Sequence, residues 1–340
     1  MKPRDSLGGR TVVVTGASSG LGREAAVRFA REGCSVILAA RRGDALEETA
    51  RRCIEAGGRA RFIVTDVTRE PDVRRLTEFA LLREGRIDVW VNNAGVTLFA
   101  PLEESSFEEH RRVIETNLFG AMLGARCVVP VFRRQRRGVL INVSSVLGKV
   151  GQPFVPSYVI SKFALRGLSE ALRTELASER DIHVCTLYPY TFVTQHFESG
   201  ANRVGRAAHA MPPAQPPERV ARALVDLARR PRRERHVPRY VAGGLALHAL
   251  FPEVVEQLIQ RSLERFHFGD TKEAGSSGNL FAPSGGPARV RGDRKPLVTT
   301  PAFAAWALGQ LADIEVQSLR RALRRHVPTT KAPVGAERSR

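Results

Sequence analysis

The sequence predicts an α/β fold, a doubly wound parallel sheet of about seven strands with helices on both faces. Three observations carry that expectation. Short β-branched and aliphatic runs alternate with segments of helical period along most of the 340 residues. Glycines crowd the turn between the first such run and the helix after it. Each later run is again followed by enough chain for a crossover, the connection that parallel neighbours require. Strands are expected at 11–15, 35–40, 61–65, 87–92, 138–144, 182–188 and about 236–241, with long helices at about 107–133 and 157–179.

The first strand is the run Thr11 to Thr15. It leads through Gly16, Ala17, Ser18, Ser19, Gly20, Leu21 and Gly22 into a helix that stops at Gly33. Backbone N–H groups at such a turn point at an anion, and the helix dipole assists. That is how a dinucleotide pyrophosphate is held, although the spacing here differs from Gly-x-Gly-x-x-Gly. The second strand, Ser35 to Ala40, ends in Arg41 and Arg42, with no acid at Ala39 or Ala40. An acid at this strand end would favour the free ribose of NAD, whereas a guanidinium suits the 2′-phosphate of NADP. A fourth strand runs into Asn92-Asn93-Ala94-Gly95, Asn117 falls in a helix, and the strand Val139 to Val143 delivers Ser144 and Ser145.

Tyr158 and Lys162 stand four residues apart on a helical segment, so they share a face. A free phenol titrates near ~10, too high to act at neutral pH. A neighbouring ammonium favours the phenolate and lowers that value. The pair therefore suggests proton transfer.

With these motifs in order, the chain resembles the short-chain dehydrogenase/reductase family over roughly residues 8 to 243. The resemblance rests on the turn Thr15 to Gly22, on Asn92-Asn93-Ala94-Gly95, and on Asn117, Ser145, Tyr158 and Lys162 in order and spacing. It implies a Rossmann-type fold and NAD(P)-dependent transfer of hydride between nicotinamide and a carbonyl or secondary alcohol. Tyr158 would be the general acid and Ser145 would hold the substrate oxygen. Lys162 would lower the Tyr158 pKa and bind the nicotinamide ribose, and Asn117 would anchor a water relay. The same resemblance implies that Gly16, Ser18, Ser19, Gly20, Leu21 and Gly22 form the pyrophosphate turn. Asp66 and Val67 would lie at the adenine, with Asn93, Ala94 and Gly95 along the ribose and Thr194 by the nicotinamide. The family's usual Pro-Gly-x-Val-x-Thr reads here Pro189-Tyr190-Thr191-Phe192-Val193-Thr194. Pro189 and Phe192 keep cofactor-side positions, but Tyr190 replaces a glycine and puts the local backbone in question. Gln152, Phe154, Tyr190 and Phe197 are expected around a bulky apolar substrate. The stretch 195–217 follows Thr194 without clear periodicity and is expected to cover that substrate.

Composition bounds the alternatives. No apolar run reaches the length of a membrane span and no secretory h-region opens the chain, so a cytoplasmic protein is expected. The four cysteines (Cys34, Cys53, Cys127, Cys185) lack metal or disulfide spacing. The formal net charge of +18 comes from scattered arginines without a nucleic-acid motif, so no specific nucleic-acid partner is expected. Residues 1–244 are expected as the catalytic domain and 245–274 as an amphipathic helical extension. A flexible Gly/Ser/Pro-rich linker is expected at 275–299, then an amphipathic helix and a disordered basic tail over 300–340. The extension would cap the core or touch a membrane surface. An NADP enzyme acting as a homodimer or homotetramer is the leading expectation. The alternatives are an NAD-preferring alcohol dehydrogenase and a non-catalytic dinucleotide-binding scaffold.

Overall fold

The computed structural model describes residues 6–325. Its centre is a sheet of seven parallel strands: β1 Thr11–Thr15, β2 Ser35–Ala40, β3 Arg59–Val64, β4 Val89–Asn92, β5 Gly138–Val143, β6 Ile182–Pro189 and β7 Glu234–Val237. Their spatial order is β7-β6-β5-β4-β1-β2-β3, as a doubly wound topology requires. The order reverses between β1 and β4, which opens a crevice at the carboxyl ends of those strands. β7 ends at Val237, earlier than expected, because Pro238 has no N–H for a further ladder bond.

Side chains of successive strand residues alternate between two cores. Val12, Val14, Val36 and Leu38 face one side, where α1 (Gly20–Arg31), α2 (Gly43–Glu55) and a later helix, Pro217–Arg229, cover them. Val13, Ile37 and Trp90 face the other. There they meet α3 (Glu70–Glu84), α5 (Gly120–Gln135) and the C-terminal end of α6 (Pro156–Glu175). The long helix expected at 107–133 is composite. α4 (Phe107–Ile114) passes into a π-helical turn, Glu115–Phe119, before α5 begins. Asn117 sits in that turn, which matches the tendency of π-turns to occur at functional sites.

The apolar cores are crossed by one buried polar chain. Trp90 Nε1 donates to Asn92 Oδ1 (2.7 Å), and Asn92 Nδ2 donates to the Ala121 carbonyl (3.0 Å) and Asn142 Oδ1 (2.9 Å). Asn142 Nδ2 then reaches Ser169 Oγ (2.9 Å). Two strands and two helices are thereby locked in register by groups that cannot go unpaired without cost.

Beyond β7 come the helices Val241–Leu250 and Pro252–Phe266. Phe268–Lys272 then forms a strand antiparallel to Arg206–Ala208. Phe266 packs edge-on against Trp306 of the final helix, Thr300–Arg325, with ring centroids 4.9 Å apart. The 275–299 stretch, expected as a flexible linker, runs instead along the domain surface, tied by backbone and side-chain hydrogen bonds. The tail expected to be disordered lies outside the described residues.

Asn142→Ala should lower stability by about 2 kcal/mol in urea unfolding, since Asn92 and Ser169 each lose a buried partner. A midpoint unchanged from wild type would show that the chain is dispensable.

Candidate active site

At the switch point the carboxyl ends of β1, β4, β5 and β6 surround one continuous cavity of about 370 Å³. At one end lie Arg41, Arg42, Asp66 and Val67; at the other lie Ser145, Tyr158 and Lys162. Between them run the turn Gly16 to Gly22 and Asn93, Ala94 and Gly95. The turn is braced from β4. Thr15 Oγ1 accepts from the backbone N–H groups of Asn93 (3.0 Å) and Ala94 (3.1 Å), and Asn93 Nδ2 donates to the Thr15 carbonyl (2.9 Å). Asp66 is held by Thr68 Oγ1 (2.7 Å) and by Arg112 (3.2 Å), which leaves its edge fixed at the rim.

Lys162 is buried, and its Nζ donates to the Val143 carbonyl (2.9 Å). The same Nζ stands 5.3 Å from the Tyr158 ring centroid. Burial lowers the Lys162 pKa to about 8, so its ammonium persists only up to the neutral range. Tyr158 shifts opposite to the sequence expectation. Burial pushes its phenol up to about 12, and the hydrogen bond with Ser145 pulls only partly against that. The ring faces the cavity, so the residue as a whole is half-buried while its hydroxyl lies deep. Asn117 is not among the cavity walls. Its Oδ1 accepts from Val96 N (2.8 Å), while Nδ2 donates to the Val96 carbonyl (3.0 Å) and Ser161 Oγ (3.1 Å). It thereby fixes the loop after β4 against α6.

Pro189, Tyr190, Phe192 and Thr194 line the cavity, as do Gln152 and Phe197. Phe154 does not. Its ring packs edge-on against Phe268 of the extension at 5.1 Å, from a backbone of φ 65°, a conformation few non-glycine residues adopt. Tyr190 is not among the residues of positive φ, so the replaced glycine is not needed here for its conformational freedom. The Tyr190 hydroxyl donates to the Pro212 carbonyl (3.2 Å), and its ring packs against the cluster of Met211, Leu263 and Phe266. A tyrosine at this position therefore ties the end of β6 to the helix Pro252–Phe266.

Two histidines were missed by sequence reasoning. His196 lies 6.0 Å from the Tyr158 ring, and its Nε2 is 2.5 Å from Thr97 Oγ1. Its place just after Thr194, in the stretch expected to cover the substrate, was an available signal. His267 had none, because only pairing of Phe268–Lys272 with Arg206–Ala208 brings it to the cavity. Burial lowers both pKa values to about 4, so both rings are neutral at neutral pH. No cluster able to hold a metal occurs among the described residues. The remaining donors suit a nicotinamide dinucleotide: a strand-to-helix turn for the pyrophosphate, a buried ammonium beside Tyr158 for the ribose, and two guanidinium groups at the far end.

The short chain dehydrogenase family matches residues 10–203, more than half of the chain, and the protein belongs to it. It is accordingly an NAD(P)-dependent oxidoreductase acting on CH–OH or C=O groups. An uncharacterized oxidoreductase of Bacillus subtilis is 34% identical over 255 residues, 74% of this chain and 72% of that protein. A short chain dehydrogenase/reductase from Burkholderia phymatum, solved in complex with NAD, is 25% identical with a TM-score of 0.66 and covers 73% of this chain and 96% of its own. An alcohol dehydrogenase from the archaeon Thermococcus sibiricus, complexed with 5-hydroxy-NADP, is 28% identical with a TM-score of 0.59 and covers 67% and 95%.

Because His196 and His267 are neutral when folded, the unfolded chain binds more protons between pH 6.5 and about 4. Stability should therefore fall as pH is lowered through that window. The doubly substituted protein, His196→Gln with His267→Gln, should show a shallower fall in its urea midpoint; an identical slope would contradict the assignment.

Proposed function

We propose that this protein is an NADP-dependent oxidoreductase that interconverts a bulky ketone and its secondary alcohol, with Tyr158 as general acid and base. The observation that supports it is one cavity joining Ser145, Tyr158 and Lys162 to the glycine turn and to Arg41 and Arg42. When bound, the dinucleotide supplies or accepts the hydride. The protein does the rest. Ser145 and Tyr158 donate to the substrate oxygen where negative charge develops, and the Tyr158 proton passes to it during reduction. A phenol raised by burial is a poor base alone. The Lys162 ammonium favours its ionised form when alcohol is oxidised, and release of the Nζ from the Val143 carbonyl would let it bind the ribose. Asn117 steadies this geometry by tying the β4 loop to α6.

The NADP preference rests on Arg41 and Arg42, with no acid on that strand end. Arg41 is half-buried, its hydrogen bonds run to the carbonyls of Asn279 and Leu280, and it lies beside Arg42 and Arg112 as well as the Asp66 carboxylate, so positive charge is in excess there for an anion. The same two bonds favour an NAD reading as the alternative, because they occupy part of the fork. Exposed Phe107, Phe119, Met122, Ile160 and Phe163 on the long helices support a homodimer or homotetramer. A cytoplasmic location agrees with four free thiols, three of them buried and Cys127 half-buried, and no described helix is long and apolar enough to cross a membrane.

Titration with NADPH and NADH followed by turnover of bulky ketones tests the proposal. Wild type should bind NADPH at least tenfold more tightly than NADH. Tyr158→Phe should keep that affinity and lose turnover by a factor of 10² or more. Equal affinities would remove the NADP assignment, and a fully active Tyr158→Phe would remove the mechanism.

A further inference from the structure

We infer that His267 is a specificity-determining residue, which hydrogen-bonds a second, neutral polar group of an elongated apolar substrate. The inference rests on the carbonyl-reductase reading of the same cavity. His267 is 3% exposed and lines the cavity; its ring has one weak contact, with the His209 backbone carbonyl, and no well-formed hydrogen bond at either nitrogen. A buried polar side chain left unpaired is costly, so this one is suited to a partner that arrives with the ligand. Its ring lies 5.6 Å from Phe99 and 6.1 Å from Phe197, and Phe197 in turn contacts His196, which adjoins Tyr158. The reacting end and His267 are thus separated by aromatic walls, which suit an apolar body between two polar ends. With its single N–H toward the His209 carbonyl, the neutral imidazole offers its other nitrogen as an acceptor, so a hydroxyl fits it better than a carboxylate.

The probes are 4-(4-hydroxycyclohexyl)cyclohexanone and its deoxy counterpart, 4-cyclohexylcyclohexanone, assayed on the dinucleotide-loaded full chain. Wild type should show about tenfold lower KM for the hydroxylated ketone, with similar kcat. His267→Leu should abolish that difference, and His267→Gln, which keeps a donor and an acceptor, should restore part of it. A preference that survives in His267→Leu, or no preference in wild type, overturns the inference. Turnover of neither ketone despite tight dinucleotide binding overturns the two-ended substrate while sparing the cofactor reading.

A separate set of contacts carries a second inference: the 275–296 segment is a clasp over the dinucleotide groove. It crosses from one bank to the other. On the glycine-turn side, Gly20 N–H donates to the Arg289 carbonyl (2.9 Å), Arg23 to that of Ala288 (2.6 Å), and Arg42 to that of Gly286 (3.2 Å). On the lid side, Gln195 Nε2 donates to the Pro287 carbonyl (2.9 Å) and Asn279 N–H to that of Ser199 (2.8 Å). The cavity persists beneath it, with Asn279, Pro283 and Ser284 in its wall. The Gly20 N–H belongs to the turn proposed for the pyrophosphate, so a seated dinucleotide displaces the Arg289 contact and leaves only after the rest of the segment lifts. Gly278 and Gly292 have no room for a side chain, since a Cβ would meet the Gly200 backbone at 2.5 Å and the Thr194 carbonyl oxygen at 2.3 Å. Gly278→Val and Gly292→Val should therefore loosen the clasp, checked as faster proteolysis of the segment. Stopped-flow displacement of NADPH by NADP should then be at least tenfold faster than in wild type. An unchanged rate with a loosened segment overturns the clasp, and tighter NADPH binding means that the segment competes for the site instead. Failure of wild type to bind any dinucleotide removes the reading beneath both.

Discussion

The buried chain from Trp90 through Asn92 and Asn142 to Ser169 is the constraint on which the site depends. It joins neighbouring strands to the helices behind them at the carboxyl end of the sheet. Asn93, which braces the glycine turn, follows Asn92 directly, and Ser144 and Ser145 follow the strand that carries Asn142. The helix that carries Ser169 also carries Tyr158 and Lys162. Both halves of the cavity are thus set by one network whose members cannot relax independently.

Electrostatics then divides the cavity. Its deep end holds a buried ammonium, a phenol pushed up by burial and two neutral imidazoles, an environment where a bound cofactor's charge would count heavily. The charge of Lys162 alone would lower the Tyr158 pKa, but both groups are buried. In the folded chain the desolvation of both groups dominates. The far end holds Arg41 and Arg42 on backbone carbonyls beside the Arg112–Asp66 pair, a net surplus of positive charge where the proposed 2′-phosphate would sit.

The C-terminal extension is the part that departs most from a plain reading of composition. Glycine, serine and proline between 275 and 299 suggested a flexible linker, because such residues bury little apolar surface. They are held instead by their backbone carbonyls, which accept from Arg23, Arg41, Arg42 and Gln195. Main-chain acceptors have no sequence signature. Tyr190 is a parallel case: it stands where a glycine is usual, and its ring packs against the cluster formed by Met211, Leu263 and Phe266.

By itself the sequence determined the order of strands and helices and which residues are candidates for proton transfer and for the cofactor turn. Those rest on local periodicity and on spacing within single turns, which a chain carries in one dimension. Only the tertiary structure decided the direction of the Tyr158 shift, the removal of Phe154 from the pocket wall, the entry of His196 and His267, and the course of 275–299 across the groove. Each depends on burial or on contacts between residues far apart in sequence, such as Gly20 with Arg289. Desolvation and long-range hydrogen bonds exist only once the chain has closed on itself.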